Sequence, residues 1–207
     1  YWIDTKQQVI SRDISLTGQE INVVTDGVGQ VRSLICTNLS DSDGLRKVDL
    51  AAGTQTLINF RKTSNGKTRK HASPTRGSYV EANGRIWTGV FNGLGVVEPG
   101  DTTGQVELNR LPAVDSIVNF IHSLIPLDHR YLLVAAERGL LIFDRQARQF
   151  VKQFRPASPD VQVREISSFL VDNAQIIWLA GSYGELGFSN LQKAKFSSLP
   201  CSHFNSI

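Results

Sequence analysis

Residues 81–98 read EANGRIWTGVFNGLGVVE. The stretch begins with an Asn-Gly turn signal, continues into an apolar run that contains Trp87, and turns back near Gly93. A second apolar run then leads to an acidic residue, Glu98. Two short apolar runs joined by a tight, glycine-containing turn are typical of a β-hairpin. This stretch therefore predicts two neighbouring strands of an antiparallel sheet.

The second half of this stretch recurs along the chain. A Gly-Leu pair is followed, five residues after the Gly, by an acid in GLRKVD at 44–49, GLGVVE at 93–98 and GLLIFD at 139–144. The copy GELGFS at 184–189 departs from the pattern at Glu185 and Ser189, and the opening YWID places Asp4 in the same slot. The acid slots at 4, 49, 98, 144 and 189 are therefore 45, 49, 46 and 45 residues apart.

Each copy contains four short strand-like stretches, which we call strands a to d, separated by turn residues. Four strands in about 45 residues, repeated along the chain, are typical of a β-propeller blade. Blades that pack face to face bury both sides of their middle strands, which explains apolar runs such as YLLVAA and IIWL. We find no amphipathic helix of 12 residues, and a β-sandwich does not require a steady period.

The sequence therefore predicts an all-β fold, a β-propeller with four complete four-stranded blades plus partial blades at both ends. We expect residues 1–207 to form a single propeller region. It is expected to be a slice of a larger propeller, or to have about five blades if the two ends close. The expected units are a partial blade at 1–14, blades at about 15–62, 63–111, 112–155 and 156–199, and the start of another blade at 200–207.

Several repeated residues are expected to have structural roles. The acid slot is predicted to accept hydrogen bonds from backbone N–H groups of the c–d turn, as Asp does in Asx-turns. Trp87 and Trp178 are predicted to fill the space between blades, with stacking on a sugar as the alternative. The predicted structural residues are Asp4, Gly44, Asp49, Trp87, Gly93, Glu98, Gly139, Asp144, Trp178 and Gly184.

Ligand binding is better sought in the b–c hairpins, because these segments differ freely between copies. Loops on a rigid scaffold carry sequence variation and binding residues. Their polar and aromatic residues are the candidate ligand-binding set: Asp41, Asn92, Glu137, Arg138, Tyr183 and Glu185. Arg138 is of most interest, since its planar fork suits a carboxylate or uronate group.

The positive charge of the chain is concentrated in one stretch. The net charge is +3, and residues 61–76 contain six Lys or Arg and no acid. An anionic surface or nucleic acid could use such a patch. We interpret it as a solvated loop and predict no nucleic-acid partner, because no aromatic residues alternate with these charges.

The sequence predicts neither a metal site nor a cofactor. His71, His122, His129 and His203 do not cluster with other ligand residues in a metal-binding spacing. Cys36 and Cys201 are too few for a disulfide framework and are interpreted as small buried residues or idle thiols. No catalytic residues are predicted, and no apolar run approaches the length of a membrane span.

Two stretches, EANGRIWTGVFNGLGVVE at 81–98 and VDNAQIIWLAGSYGELGFS at 171–189, resemble the two-component-regulator propeller repeat. That repeat occurs in periplasmic sensor regions of bacterial hybrid histidine kinases and some diguanylate cyclases. The resemblance extends over nearly the whole chain through five degenerate copies.

The resemblance implies a function. It suggests a non-catalytic, ligand-sensing and periplasmic part of a bacterial signal-transduction receptor, with a small molecule or carbohydrate as ligand. The implied partners are the rest of a membrane-bound receptor and, as one option, a second copy in a homodimer. The alternatives are a propeller enzyme, either a lyase or a glycoside hydrolase, and a protein-interaction scaffold.

Overall fold

The computed structural model describes most of the chain, and its regular secondary structure there is entirely β-strand. The described residues are 20–25, 29–37, 44–64, 67–71, 75–90, 93–108, 121–136, 139–154, 166–174, 176–181, 184–190 and 195–199. Within these ranges there is no helix, and therefore none that is long and apolar enough to cross a membrane.

The strands form four successive four-stranded units, in each of which consecutive strands pair antiparallel. Blade 1 contains β1 (Glu20–Thr25), β2 (Val31–Thr37), β3 (Leu45–Asp49) and β4 (Thr54–Ser64), and β5 (Lys67–His71) pairs with β4. Blade 2 contains β6 (Thr75–Val80), β7 (Ile86–Val90), β8 (Gly93–Val97) and β9 (Thr103–Leu108). Blade 3 contains β10 (Ile121–Pro126), β11 (Tyr131–Ala136), β12 (Gly139–Asp144) and β13 (Gln149–Phe154). Blade 4 contains β14 (Ile166–Val171), β15 (Ile176–Gly181), β16 (Leu186–Asn190) and β17 (Lys195–Leu199).

The prediction of an all-β fold built from four-stranded units is confirmed. The predicted partial blades at 1–14 and 200–207, together with Asp4, lie outside the described residues. So do the two chain ends whose pairing would close the ring.

Neighbouring blades bury apolar residues from opposite faces of their middle strands. Side chains alternate between the two faces of a strand, so one middle strand can supply two separate cores. The core between blades 1 and 2 contains Ile35, Leu45, Phe60, Ile86 and Val97, and that between blades 2 and 3 contains Trp87, Val96, Leu132, Leu141 and Phe143. Leu133, Leu140, Ile166, Ile177 and Leu179 form the core between blades 3 and 4.

The last strand of blade 1 crosses to the outer edge of blade 2. β4 pairs with β3 as far as Ile58, and its residues 59–61 then pair in parallel with residues 103–105 of β9. Phe60, which is fully buried, lies against Gly95 and Gly104 of blade 2. Any side chain at either glycine would overlap the Phe60 ring. Backbone pairing and a buried aromatic ring thus join the first two blades.

The interpretation of residues 61–76 as a loop was wrong. β4 continues to Ser64, and β5 pairs with it antiparallel over residues 67–71. Asn65 and Gly66, which separate the two strands in sequence, are the residue pair most strongly favoured in two-residue hairpin turns. The charges therefore lie on a β-ribbon.

The acid slot caps the c–d turn in two blades. The Asp49 carboxylate accepts hydrogen bonds from the backbone N–H groups of Ala51 and Ala52, at 3.0 and 2.9 Å. Asp144 accepts equivalent bonds from the residues two and three places after it, also at 2.9 and 3.0 Å. Glu98, which has a longer side chain, bonds instead to Arg85 and Arg148.

The assignment of Ser189 to the acid slot was wrong by one residue. In blade 3, the slot residue Asp144 lies opposite Tyr131, the first residue of β11. In blade 4, the first residue of β15, Ile176, lies opposite Asn190, so Ser189 is one place away from the slot. The cause is the b–c hairpin, which turns on three residues in blade 4 and on two in blade 3.

The two repeated tryptophans hold equivalent positions in β7 and β15, but their surroundings differ. Trp87 is fully buried between blades 2 and 3, with its ring centroid 5.4 Å from that of Phe143. Trp178 is half-buried and lies 5.7 Å from Phe188 of its own blade. The packing role expected for both residues therefore applies fully to Trp87 alone.

Cys36 is a buried free thiol. Burial raises its pKa, and the charge of Arg46 opposes this only in part. A thiol with a raised pKa is a weak nucleophile, which agrees with a packing role. Cys201 lies outside the described residues.

Candidate functional site

Three of the four blades carry a β-bulge at the start of their first strand. The register shifts between Arg76 and Ser78 in β6, and one place earlier in the repeat in β10 and β14, so that Gly77, His122 and Ser167 are the residues skipped in the register. Arg76, His122 and Ser167 are equivalent, because each follows the residue that pairs with the last residue of the second strand. Bulges re-aim side chains and are over-represented next to active sites.

These bulges lie on the innermost strands of the propeller. The first strands of successive blades contact one another, β6 against β10 and β10 against β14. Gly77 shows how close this approach is, since a Cβ atom there would lie 2.8 Å from Cα of Ser123 in the next blade. The three equivalent polar residues are thus presented around the inner layer of one end.

Arg76 and His122 form a hydrogen bond between blades 2 and 3. A guanidinium N–H of Arg76 donates to Nδ1 of His122 at 2.8 Å, and both side chains are half-buried. A guanidinium has no acceptor atoms, so Nδ1 must carry the lone pair. The ring proton of His122 then lies on Nε2, which makes that atom capable of donating a hydrogen bond. The pair combines several N–H donors at one place.

Hydroxyl groups bond to two backbone carbonyl oxygens beside the bulges. Thr88 donates to the carbonyl oxygen of Gly77 at 2.9 Å, and Ser167 donates to that of Ala180 at 3.1 Å. Buried polar groups without partners are costly, and these bonds remove that cost. The bulges are therefore built into the fold.

A second glycine permits this geometry. A Cβ atom at Gly89 would lie 2.7 Å from the carbonyl oxygens of both Arg76 and Ile121. Any larger residue would push apart the two strands that carry Arg76 and His122. Gly89 is thus a requirement of the site.

The bulges are at the same end of the sheets as the b–c connections. Val90, the last residue of β7, pairs with Thr75 at the start of β6 and with Gly93 at the start of β8. Five predicted ligand-binding residues in these connections lie outside the described residues: Asp41, Asn92, Glu137, Arg138 and Tyr183. Glu185 is described and half-buried, and its carbonyl oxygen accepts a hydrogen bond from Gly181 N–H at 2.9 Å.

Sequence reasoning missed the bulge residues. Arg76 was counted with the basic stretch, and His122 was considered only as a metal ligand. A signal was present, because TRGS, IHSL and ISSF at 75–78, 121–124 and 166–169 align within the repeat. Each begins with a β-branched residue and has a polar residue in second place.

The opposite end of the same two blades is joined by charges. Arg145 of blade 3 bonds to Glu81 of blade 2 at 2.7 Å, and the two side chains are 9% and 12% exposed. Glu81 also accepts the Trp87 indole N–H at 2.8 Å. Burial alone would raise the pKa of the Glu81 carboxyl, but the bonds from Trp87 and Arg145 outweigh it and hold that pKa below its ordinary value. Arg145 also donates to the carbonyl oxygen of Asp128.

Two further ion pairs, both of Glu98, lie beside the first, and another lies within blade 3. Glu98 bonds to Arg85 of its own blade at 2.8 Å and to Arg148 of blade 3 at 2.7 Å. Arg130 bonds to Asp144 at 2.6 Å and lowers the pKa of that carboxyl. Each of these carboxylates has an arginine partner, so we interpret the charges at this end as stabilising the fold. The bulge end, with its convergent donors, is the better candidate for ligand binding.

Metal binding finds no support in the part of the chain that the structure describes. No group of three or more His, Cys, Asp or Glu residues there could hold a metal ion. Hydrogen-bond donors at the bulge end suit oxygen atoms of a ligand, such as hydroxyl or carboxylate groups.

The fold is similar to those of several solved propeller structures. The extracellular domain of BT4673 from B. thetaiotaomicron, assigned as a one-component system, matches with a TM-score of 0.62 and 17% identity over 90% of this chain. The extracellular domain of BT3049 from the same organism, assigned as a hybrid two-component system, matches with a TM-score of 0.60 and 17% identity over 96% of this chain. The WD40 repeats of RRP9 match with a TM-score of 0.59 and 10% identity over 89% of this chain.

The chain spans about a quarter of the first two of these proteins, 24% and 25% of their lengths. No family model matches the sequence, and no curated protein matches it. The predicted β-propeller fold is confirmed by these structures.

Proposed function

We propose that this chain is the ligand-sensing propeller region of an extracytoplasmic signal-transduction receptor. Two of the similar structures are extracellular domains of proteins assigned as one-component or two-component systems. The repeat resemblance in the sequence agrees with them. A periplasmic location and a non-catalytic role follow from the same analogy.

We infer that the ligand, a small molecule or carbohydrate, binds at the bulge end. The observation that carries this inference is the equivalence of Arg76, His122 and Ser167 on adjacent inner strands. The bulge gives each of these blades a similar backbone, while the polar side chain beside it differs from blade to blade. A ligand that touches several blades there could change their relative positions, which is what a sensor requires.

The binding site is tested by titration with a panel of neutral and acidic monosaccharides and disaccharides, followed by calorimetry. We expect Arg76→Gln and His122→Gln each to weaken binding by at least about tenfold, because each removes a donor from the pair. Arg130→Gln, at the opposite end, is the control and should bind as wild type. Equal binding by all three variants would place the ligand elsewhere.

The rest of the receptor is the partner that we propose for the outer face of blade 4. Leu170 is 64% exposed there, beside the half-buried Trp178. The chain spans only about a quarter of the similar extracellular domains. A further blade of the same receptor would cover this face as blade 3 covers Trp87. Light scattering separates this arrangement from the homodimer that the resemblance also allows.

A catalytic role is tested by the same panel. Incubation of the chain with the oligosaccharides that it binds should leave them intact by mass spectrometry. Release of shorter products, lost in Arg76→Gln or His122→Gln, would favour a lyase or glycoside hydrolase.

A further inference from the structure

The ribbon formed by β4 and β5 places positive residues opposite one another. Arg61 lies opposite Lys70, and Lys62 lies opposite Arg69, in consecutive pairs of the antiparallel register. Residues 61–71 contain five Lys or Arg, one His and no acid. The two pairs are consecutive in the register, so four positive residues occupy adjoining positions of the ribbon.

This arrangement is unfavourable for the isolated protein. Like charges directly opposite one another in an antiparallel pair are destabilising. The nearest acid along the paired edge is Glu107 of β9, two residues beyond Gln105, which lies opposite Arg61. Along this edge, as far as the structure describes it, one carboxylate lies near five cations. A partner that supplies negative charge would relieve this repulsion.

The root of the ribbon is fixed. β4 is paired with β9 over residues 59–61, and Phe60 is buried against Gly95 and Gly104. The cationic residues follow directly from this anchored segment. Successive residues on one face are about 7 Å apart along the strand, and opposed residues are about 5 Å apart. The backbone of the ribbon therefore places positive residues in register next to the outer edge of blade 2.

We propose that this ribbon binds an anionic polysaccharide through its carboxylate or sulfate groups. The proposal rests on the proposed extracytoplasmic location, where such polymers are available. Charge complementarity supplies the attraction, and a row of charges fits a polymer with repeated acidic groups better than it fits one small ion. No Phe, Tyr or Trp lies within residues 61–71, so base stacking of the kind used for single-stranded nucleic acid has no platform here.

The test uses immobilised heparin and polygalacturonate as probes, with the full chain and two double variants. Arg61→Gln with Lys70→Gln removes one opposed pair. Lys47→Gln with Lys152→Gln removes two exposed lysines outside the ribbon, on β3 and β13, and is the charge-matched control. We expect the first variant to bind at least about tenfold more weakly at about 50 mM salt, and its log–log salt slope to fall by about two units. The control should retain both values.

Thermal unfolding distinguishes lost binding from lost folding. Because the first variant relieves repulsion between like charges, its melting temperature should be equal to or above that of wild type. Weaker binding by a protein of undiminished stability would support the proposal.

Three results would overturn it. The first is binding of both polysaccharides by the Arg61→Gln, Lys70→Gln variant as tightly as by wild type. The second is an equal loss of affinity in the control variant. The third is tighter binding of duplex DNA or of anionic phosphatidylglycerol vesicles than of the polysaccharides at equal salt. The outcome is independent of the bulge end: Arg76→Gln should leave polysaccharide binding unchanged, and the ribbon variant should keep its binding of small ligands.

Discussion

Trp87 and Trp178 hold the same position in two copies of one structural unit, so the two copies can be compared there. The Trp87 indole bonds to Glu81 at 2.8 Å, and the Trp178 indole bonds to Asp172 at 2.9 Å, in each case to an acid six residues earlier. The next layer differs. Phe143 of the following blade covers Trp87, whereas Leu170 beside Trp178 is 64% exposed. The repeat thus specifies the local hydrogen bond, and the neighbouring blade determines how much the tryptophan stabilises the fold.

The acids of the two units show the same contrast. Glu81 is shared with Arg145 of the next blade. Asp172 accepts from Trp178 and from the backbone N–H groups of Ala174 and Ile176, all in its own blade. The bond from Trp178, followed by the bond from Ile176, lowers the pKa of Asp172 without any ion pair. The carboxylate at this position can therefore bond within its own blade, as in Asp172, or to the next blade, as in Glu81.

The largest effect is expected at Trp87. Trp87→Ala should destabilise the chain by about 3–5 kcal/mol, because it leaves a cavity in the core between blades 2 and 3. Urea unfolding followed by far-UV circular dichroism measures the loss. Trp87→Phe, which keeps one aromatic ring and removes the smaller indole ring with its bond to Glu81, should lose less than half as much. An unchanged midpoint for Trp87→Ala would mean that this seam contributes little.

A smaller loss is expected at Arg145. Arg145→Gln should cost about 2–3 kcal/mol, because it removes the closer of the two cations beside the mostly buried Glu81 carboxylate and leaves only Arg85 at 3.6 Å. Arg130→Gln is the comparison within one blade and should cost less than Arg145→Gln, since Arg130 is 44% exposed and the buried Asp144 carboxylate keeps its two bonds from backbone N–H groups. Equal losses of stability in the two variants would show that an ion pair between blades stabilises the protein no more than an ion pair within one blade.

Trp178→Ala should have a smaller effect still. The sequence alone suggested a loss equal to that at Trp87, but half-burial reduces the expected cost to about 1–2 kcal/mol. The same urea experiment tests this. A loss as large as that of Trp87→Ala would indicate that the outer face of blade 4 is covered in solution, for example by a second copy. Repeating the measurement at several protein concentrations would identify that case.

The smallest effect concerns pH. The pKa of Glu81 is lower in the folded state than its ordinary value of 4.5. Its contribution to stability is therefore present above pH 4.5 and is lost as pH falls further, because the unfolded chain then binds the proton first. Glu81→Gln should flatten the stability curve below pH 4.5, and Arg145→Gln should flatten it similarly. An identical pH dependence in wild type and Glu81→Gln would contradict this.

Much of the fold follows from local sequence signals. The spacing of Asp49, Glu98 and Asp144 predicted the four-stranded units, and two of these residues cap their turns as expected. The bond from Trp to an acid six residues earlier was also readable, since EANGRIW and DNAQIIW share it. These features depend on residues close together in the chain.

The remaining features depend on contacts between distant segments. The crossing of β4 to β9 joins residue 60 to residue 104, and no local pattern encodes that pairing. The displacement of Ser189 results from one extra hairpin residue, which leaves the Gly-to-slot spacing of the sequence unchanged. The Arg76–His122 pair likewise needs two bulges to coincide across a seam. Each of these required the packed structure.

The crossing of β4 has a consequence for the order in which the molecule opens. Blades 1 and 2 share backbone hydrogen bonds over residues 59–61, whereas the contacts described between blades 2 and 3 are made chiefly by side chains. Side-chain contacts can be broken by tilting one blade, but shared strand pairing breaks only when a strand is peeled away. We therefore expect blades 1 and 2 to exchange their amide hydrogens as one cooperative unit. The seam of Trp87 and Arg145 is then a line along which the molecule can bend, and a ligand that joins Arg76 to His122 would connect the two sides of that line.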